Sequence, residues 1–333
     1  MSLSPPALPA PFLASPSPAA THRHLVLPYA ALLDDSCQHL LSTLELPQLE
    51  RLLRSLRPAG ATPGQPDQPI PPHERVVARA WALDTERPAW AALATQTVDT
   101  PCAWLTPCHW TAGADQVRMD DPASLQLELA DAQALHALLQ PWFAQDGLSL
   151  DIVTPLLWRI AGAPLADLRP ASLDRVLLRD VSPWLPSAQT ARTLHRLHSE
   201  VQMLLYTHAF NDRRAERGLQ PINAFWLHGA GSLDADALAH SQQAAAQVQL
   251  QVVDGLRQAA LRQDWPAWKQ AWLAADAGPL AELAQHVAQG GPATLSLCGE
   301  HHARSWDSQP RGLVDKIKNV FSPQRFAGLH QAL

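Results

Sequence analysis

The chain has 333 residues, of which 47% are hydrophobic and 17% are charged, as in a globular protein with one large domain or two modest ones. Its net charge of -6 and the lack of any long Lys/Arg cluster disfavour nucleic-acid binding. No apolar run approaches the roughly 20 residues of a membrane helix, which argues against a membrane protein. The first residues lack the basic segment of a signal peptide and are broken by prolines, so we expect a cytoplasmic location.

The first part of the chain combines short strands and helices with Pro-rich connections. Residues 1–21 are rich in Pro, Ala and Ser, which predicts a disordered lead-in. The pattern that follows predicts a strand over 24–29, a helix over 31–44, a helix that begins at Pro47, a loop over 57–72 and a helix over 74–83. Both kinds of element are therefore present from the start.

The middle of the chain predicts two antiparallel hairpins with a helix between them. The first hairpin spans 101–121, with its turn at 111–113. The second joins the segments 148–152 and 156–160, of which the first alternates in polarity. Between the hairpins, Asp131 is placed to cap a helix that carries one apolar face.

The last part of the chain is mostly helical from Ser187 onward, with a mildly basic tail from Arg311 that also predicts a helix. Three tryptophans recur at helical spacing and predict a core face: Trp265, Trp268 and Trp272. Candidate strands in this part cover 222–227, 247–253 and 293–298.

The predicted fold class is therefore α+β (mixed α/β). Antiparallel hairpins are expected in the N-terminal half, and a mixed sheet with helices is expected in the C-terminal half. We predict the division into a lead-in over 1–21, an α+β region over 22–186 and an α/β region over 187–333.

The segment from His208 to Gly231 is the strongest candidate for a functional site. It predicts a short helix capped by Asn211 and ended by Gly218, then a strand that ends in a Gly-x-Gly turn, with Ser232 placed to cap the next helix. A glycine-rich turn from strand to helix exposes backbone amides at the positive end of the helix, where a phosphate could bind. The residues predicted to bind a ligand are His208, Asn211, Arg214, Asn223, His228, Gly229 and Gly231.

A purely structural interpretation of this segment stays open, because Asn and Gly residues also build tight turns. A second cluster, Cys298, His301 and His302, has zinc-ligand chemistry, but a structural zinc site needs four ligands and a full set is not evident. Thiol catalysis by Cys108 with His109 is disfavoured because neighbours on a strand point to opposite faces. We therefore predict no metal and no cofactor.

The sequence THAFNDRRAERGLQPINAFWLHGAG is similar to a stretch of archaeal-type cofactor-independent phosphoglycerate mutases. Over nearly its whole length, the chain resembles an uncharacterised proteobacterial family that is often labelled phosphoglycerate mutase and is related to the RpfE-type regulatory proteins. The wider resemblance is carried by Thr106–Pro122, Ser172–Pro186 and Glu200–Gly231. It implies a bacterial protein with partial likeness to the alkaline-phosphatase-like fold and with a phosphorylated small molecule as its ligand.

The chain also departs from those mutases, which need Asp and His metal ligands and a Ser or Thr that carries the phosphoryl group. No Asp-Gly motif follows the first predicted strand, and the nearest carboxylates, Asp34 and Asp35, lie in a predicted helix. Ala209 replaces the usual proline, and His228 replaces the usual arginine. We therefore expect a regulatory or ligand-binding protein without an intact catalytic metal site. The alternative is a cofactor-independent phosphoglycerate mutase or a related phosphoryl-transfer enzyme.

Overall fold

The computed structural model describes residues 22–186 and 192–308, together with Phe326 and Leu333. Three predicted features lie wholly or mostly outside the described residues, namely the lead-in over 1–21, the helix start at Ser187 and the tail from Arg311. The strands are β1 His22–Leu27, β2 Arg57–Thr62, β3 Cys102–Cys108, β4 Trp110–Ala112, β5 Val117–Met119, β6 Ser149–Thr154, β7 Leu157–Ala161, β8 Ala224–Gly231, β9 Val248–Val252, β10 Ala293–Cys298 and β11 Ala303–Asp307. The helices are α1 Asp35–Thr43, α2 Pro47–Ser55, α3 Pro72–Ala80, α4 Trp90–Thr95, α5 Leu129–Gln145, α6 Leu173–Val176, α7 Arg192–Thr207, α8 Ala209–Glu216, α9 Ala235–Gln247, α10 Asp254–Leu261, α11 Trp265–Ala275 and α12 Ala281–Ala288. The fold is mixed α/β, as the sequence predicts.

The described residues form two compact units. The inserted unit comprises residues 86–240, and the flanking unit comprises the residues before 86 and after 240. The unit boundaries therefore differ from the predicted boundary at 186/187. The difference arises because β9 and β10 both pair with β1, so that late strands complete a sheet that the first strand begins.

The flanking unit is built on a five-stranded mixed sheet in the order β2-β11-β10-β1-β9. Strand β1 is parallel to β9 and β10, whereas β11 is antiparallel to β10 and β2. Parallel neighbours need a long crossover, which explains why the partners of β1 come from the far end of the chain. Helix α3 packs against β1 and β10, and Trp268 and Trp272 of α11 are fully buried, as their spacing predicts.

The inserted unit is built on a four-stranded antiparallel sheet in the order β6-β7-β3-β8. Strand β3 is buried along its whole length, which suits a strand with a partner on each side. Helix α5 packs against β6, and α7 packs against β8 and α5. The largest side chains of this core are Phe143, Trp158, Phe210 and Phe225.

Three details differ from the sequence-based expectation. Strand β3 does not fold back on residues 114–121, because its apolar residues are buried between β7 and β8, and a shorter hairpin forms from β4 and β5. The predicted loop over 57–72 contains β2, a strand at the edge of its sheet, where proline is tolerated. Strand β11 was not predicted. Within the described residues, no helix has the length and apolarity needed to cross a membrane.

Candidate functional site

The segment from His208 to Gly231 folds into α8, a connecting loop and β8. Helix α8 begins after His208, whose Nδ1 accepts a hydrogen bond from the Phe210 amide at 3.1 Å. The predicted cap Asn211 therefore lies inside the helix, because His208 supplies the acceptor at its start. Gly218 follows the helix end with φ of 67°, the left-handed conformation that the sequence predicts for it.

The Asn211 side chain binds the main chain on both sides of α8. Its Nδ2 donates to the carbonyl oxygens of Leu205 at 2.9 Å and Ile222 at 2.8 Å, and its Oδ1 accepts from the Ile222 amide at 2.9 Å. The residue is 9% exposed. Asn211 thus ties the end of α7 to the start of the strand segment, and both of its polar atoms are engaged.

The Arg214 guanidinium is engaged in the same way. Nε donates to the Gln220 carbonyl at 2.9 Å, Nη2 donates to the Leu125 carbonyl at 2.6 Å, and Nη1 lies 3.4 Å from a carboxylate oxygen of Asp131. The residue is 1% exposed, and burial lowers its pKa while Asp131 opposes that shift. Arg217 also pairs with Asp131, at 2.9 Å. Asp131 therefore pairs with both arginines. It does not cap α5 as predicted, because Glu128 stands at the N-cap of that helix.

Asn223 holds strand β4 beside the loop that leads into β8. Its Oδ1 accepts from the Trp110 amide at 2.7 Å, and its Nδ2 donates to the Trp110 carbonyl at 2.9 Å. Asn211, Arg214 and Asn223 are therefore brought together around the loop over 218–223, where they satisfy its backbone groups and those of its neighbours. Their contribution to ligand binding stays a prediction.

The predicted Gly-x-Gly turn lies inside β8 instead of after it. His228 Nε2 lies 3.1 Å from Thr106 Oγ1 on β3. Gly229 has φ of 60°, and a Cβ there would stand 3.0 Å from the Trp90 Cβ. A Cβ at Gly231 would stand 2.6 Å from the Ala89 Cβ. Both glycines thus allow the segment at the start of α4 to approach the strand closely.

The start of α9 is capped by an acidic residue. Asp234 Oδ1 accepts from the Ala237 amide at 2.7 Å, so Asp234 rather than the predicted Ser232 supplies the acceptor. Asp236 adds a second carboxylate in the first turn. Negative charges therefore already occupy the positive end of this helix, where the sequence predicts that a phosphate binds.

The cysteines are buried thiols. Burial raises the pKa of Cys102 to about 11, and it raises the pKa values of Cys108 and Cys298 further above their ordinary range. His302 Nδ1 accepts from the Gly64 amide at 3.1 Å. Among the residues that the structure describes, no three side chains of the metal-binding types gather into a site.

A cleft in the inserted unit was missed by the sequence interpretation. It holds about 360 Å3 of empty space, part of which is open to solvent, and the described residues that line it are Leu168, Pro170, Leu185, Pro186, Leu194, His195, His198, Trp226 and Leu227. His195 and His198 are three residues apart on α7, and each directly follows a buried leucine, Leu194 or Leu197. That spacing is the signal that places both imidazoles on one side of the helix.

His198 lies between aromatic rings. Its ring centroid is 4.0 Å from that of Phe225 and 5.2 Å from that of Trp110, both in edge-to-face geometry. Burial lowers its pKa to about 4, so the imidazole is neutral at neutral pH. His195 Nε2 is bonded to the Pro186 carbonyl at 2.6 Å, which holds one side of the cleft in place.

No protein-family model matches the chain, and no curated protein gives a significant match. The chain is similar in structure to the cofactor-independent phosphoglycerate mutase from Thermoplasma acidophilum, with 13% identity and a TM-score of 0.36 over 86% of this chain and 89% of that one. It is also similar to a protein from Pyrococcus horikoshii, with 12% identity and a TM-score of 0.43 over 88% of this chain and 89% of that one. Similarity at this level does not establish a shared activity.

Proposed function

We propose that this chain is a ligand-binding protein with a regulatory role and that it does not catalyse phosphoryl transfer. The observation that carries the proposal is the engagement of Asn211, Arg214 and Asn223 with the protein's own main chain. Donors that hold a backbone carbonyl must break that bond before they can hold a phosphate, and a buried group left without a partner costs about 1–3 kcal/mol. The segment that resembles the mutases is therefore proposed to stabilise the fold.

The predicted phosphorylated ligand and the regulatory role stay part of the proposal. The regulatory role rests on the resemblance to RpfE-type proteins. A phosphorylated ligand would meet Arg213, which is exposed on α8, more readily than the buried Arg214.

The test is an assay for interconversion of 2- and 3-phosphoglycerate with Mn²⁺, Mg²⁺ or Zn²⁺ added, beside an active mutase as the positive control. We expect no metal-stimulated activity, because the described residues bring together no set of three metal-binding side chains. Metal-stimulated turnover would overturn the proposal in favour of a phosphoryl-transfer enzyme. Thermal unfolding with 3-phosphoglycerate then tests the predicted ligand, and a rise in Tm that is lost in Arg213→Ala would support it.

A further inference from the structure

The cleft beside α7 has a mostly apolar lining that carries a few polar groups. Leucine, proline and tryptophan side chains line it together with His195 and His198, and none of the described residues that line it is Asp, Glu, Lys or Arg. Ligand pockets in proteins are mostly apolar with a few polar groups that orient the ligand. The cleft has this character.

His198 is the group that can orient a ligand. Its ring nitrogens form no hydrogen bond with any residue that the structure describes, whereas the Trp226 indole donates to the Ala171 carbonyl at 3.0 Å and His195 is held by Pro186. A neutral imidazole provides one donor and one acceptor. A polar group of a ligand would supply the partner that the protein does not.

The lining of the cleft also disfavours a charged ligand. The pKa of His198 is held at about 4 by burial, so the imidazole supplies no positive charge at neutral pH. A phosphate or carboxylate that entered the cleft would lose part of its hydration without gaining an ion pair from the described lining residues, which is costly in an apolar site. The edge-to-face contacts of His198 with Phe225 and Trp110 continue an aromatic surface beside the cleft.

We propose that the cleft beside α7 binds an uncharged aromatic molecule of one or two rings that carries a hydroxyl or amine group bonded to His198. This inference names a ligand class for the proposed ligand-binding protein, and it therefore rests on the proposed function. It differs from the predicted phosphorylated ligand, which the exposed Arg213 on α8 would meet instead.

The test compares three probes with one ring system, namely 2-naphthol, naphthalene and 2-naphthyl phosphate, by ligand-observed NMR titration of the full chain at neutral pH. We expect saturable binding of 2-naphthol, with 2-naphthyl phosphate weaker by at least about tenfold because its charge is not paired. Equal or tighter binding of 2-naphthyl phosphate would overturn the proposal, as would the absence of saturable binding of 2-naphthol.

Two variants assign the binding to this cleft. His198→Phe keeps the aromatic contacts but removes the hydrogen-bonding nitrogens, so it should weaken 2-naphthol about tenfold and leave naphthalene unchanged. Leu194→Trp should weaken both compounds by filling the cleft. Tyr206→Ala is the matched control, because Tyr206 is 88% exposed on the same helix. If both variants fold, as judged by circular dichroism, and bind 2-naphthol like the unaltered protein, the proposal is wrong.

The two proposals fail separately. Phosphoglycerate mutase activity would overturn the proposed function and leave the naphthol result standing. If the protein shows no mutase activity and does not bind 2-naphthol, only the assignment of the ligand class is wrong.

Discussion

Replacing Asn211 by Ala tests whether the mutase-like segment stabilises the fold or binds a ligand. The substitution removes three hydrogen bonds of 2.8–2.9 Å to the main chain of Leu205 and Ile222. A buried polar group left without a partner costs about 1–3 kcal/mol. Each of the two carbonyl oxygens has a second lone pair for another donor, which reduces the cost at these atoms, so we expect the free energy of unfolding to fall by roughly 3 kcal/mol in total. That is a large fraction of the about 5–15 kcal/mol by which folded proteins are usually stable.

The measurement is equilibrium unfolding in urea followed by circular dichroism at neutral pH. Arg213→Ala is the matched control, since Arg213 is exposed on the same helix and should change the free energy of unfolding by less than about 0.5 kcal/mol. Asn211→Asp should be at least as destabilising as Asn211→Ala, because it removes both donors and places a carboxylate beside two carbonyl oxygens. If Asn211→Ala unfolds like the control while phosphate ligands lose affinity, Asn211 is a ligand-binding residue and the structural interpretation is wrong.

Three further predictions concern other positions in the two units. His24 has its pKa lowered from 6.5 to about 4 by burial, so the unfolded chain takes up a proton below pH 6.5 that the folded chain does not. The stability that the neutral His24 side chain provides is therefore complete above that pH and falls by up to about 3 kcal/mol as the pH drops towards 4. Urea unfolding of His24→Asn from about pH 7 to about pH 4.5 should show a free energy of unfolding that depends less steeply on pH than that of the unaltered protein. An unchanged pH dependence would contradict this. Asp276→Ala should cost about 1–3 kcal/mol in the same assay because it removes the acceptor for two amides at the start of α2, and an unchanged midpoint would count against it. Gly231→Ala should cost about 1–3 kcal/mol because the new Cβ meets the Ala89 Cβ at 2.6 Å, whereas Gly60→Ala, with no atom within 4 Å, serves as its control and should stay near zero.

Features set by neighbouring residues could be predicted from the sequence. The left-handed Gly218 follows from a short polar helix that ends at a glycine, and the buried faces of Trp268 and Trp272 follow from helical spacing. Asp264 caps α11 through the Ala267 amide at 3.0 Å, as expected for an Asp three residues before that position. The physical cause in each case lies within one turn of a helix or one loop.

Features set by distant partners could not be predicted. Strand β3 pairs with β7 and β8 rather than with the next segment of the chain, and its sequence alone does not distinguish a central strand from one arm of a hairpin. The α2 amides are capped by Asp276, which lies more than 200 residues later in the chain. The described residues that line the cleft beside α7 come from four separate segments, so only His195 and His198 gave a local signal.

The mutase-like segment shows why a pattern of Asn, Arg and Gly is ambiguous between a phosphate site and a scaffold. The amide and guanidinium donors that hold phosphate oxygens hold carbonyl oxygens equally well, and glycine allows close approach of either a ligand or another backbone. Burial and existing partners distinguish the two roles. Arg214 is 1% exposed and directs its donors to Gln220, Leu125 and Asp131, and Gly231 lies against Ala89. A phosphate at these positions would have to displace the protein's own contacts, whereas a polar aromatic molecule at His198 would complete a hydrogen bond that the described residues leave unmade. The polar groups around β8 already have partners within the protein, whereas His198 has none among the described residues. We therefore expect a ligand in the cleft beside α7 rather than at the glycines of β8.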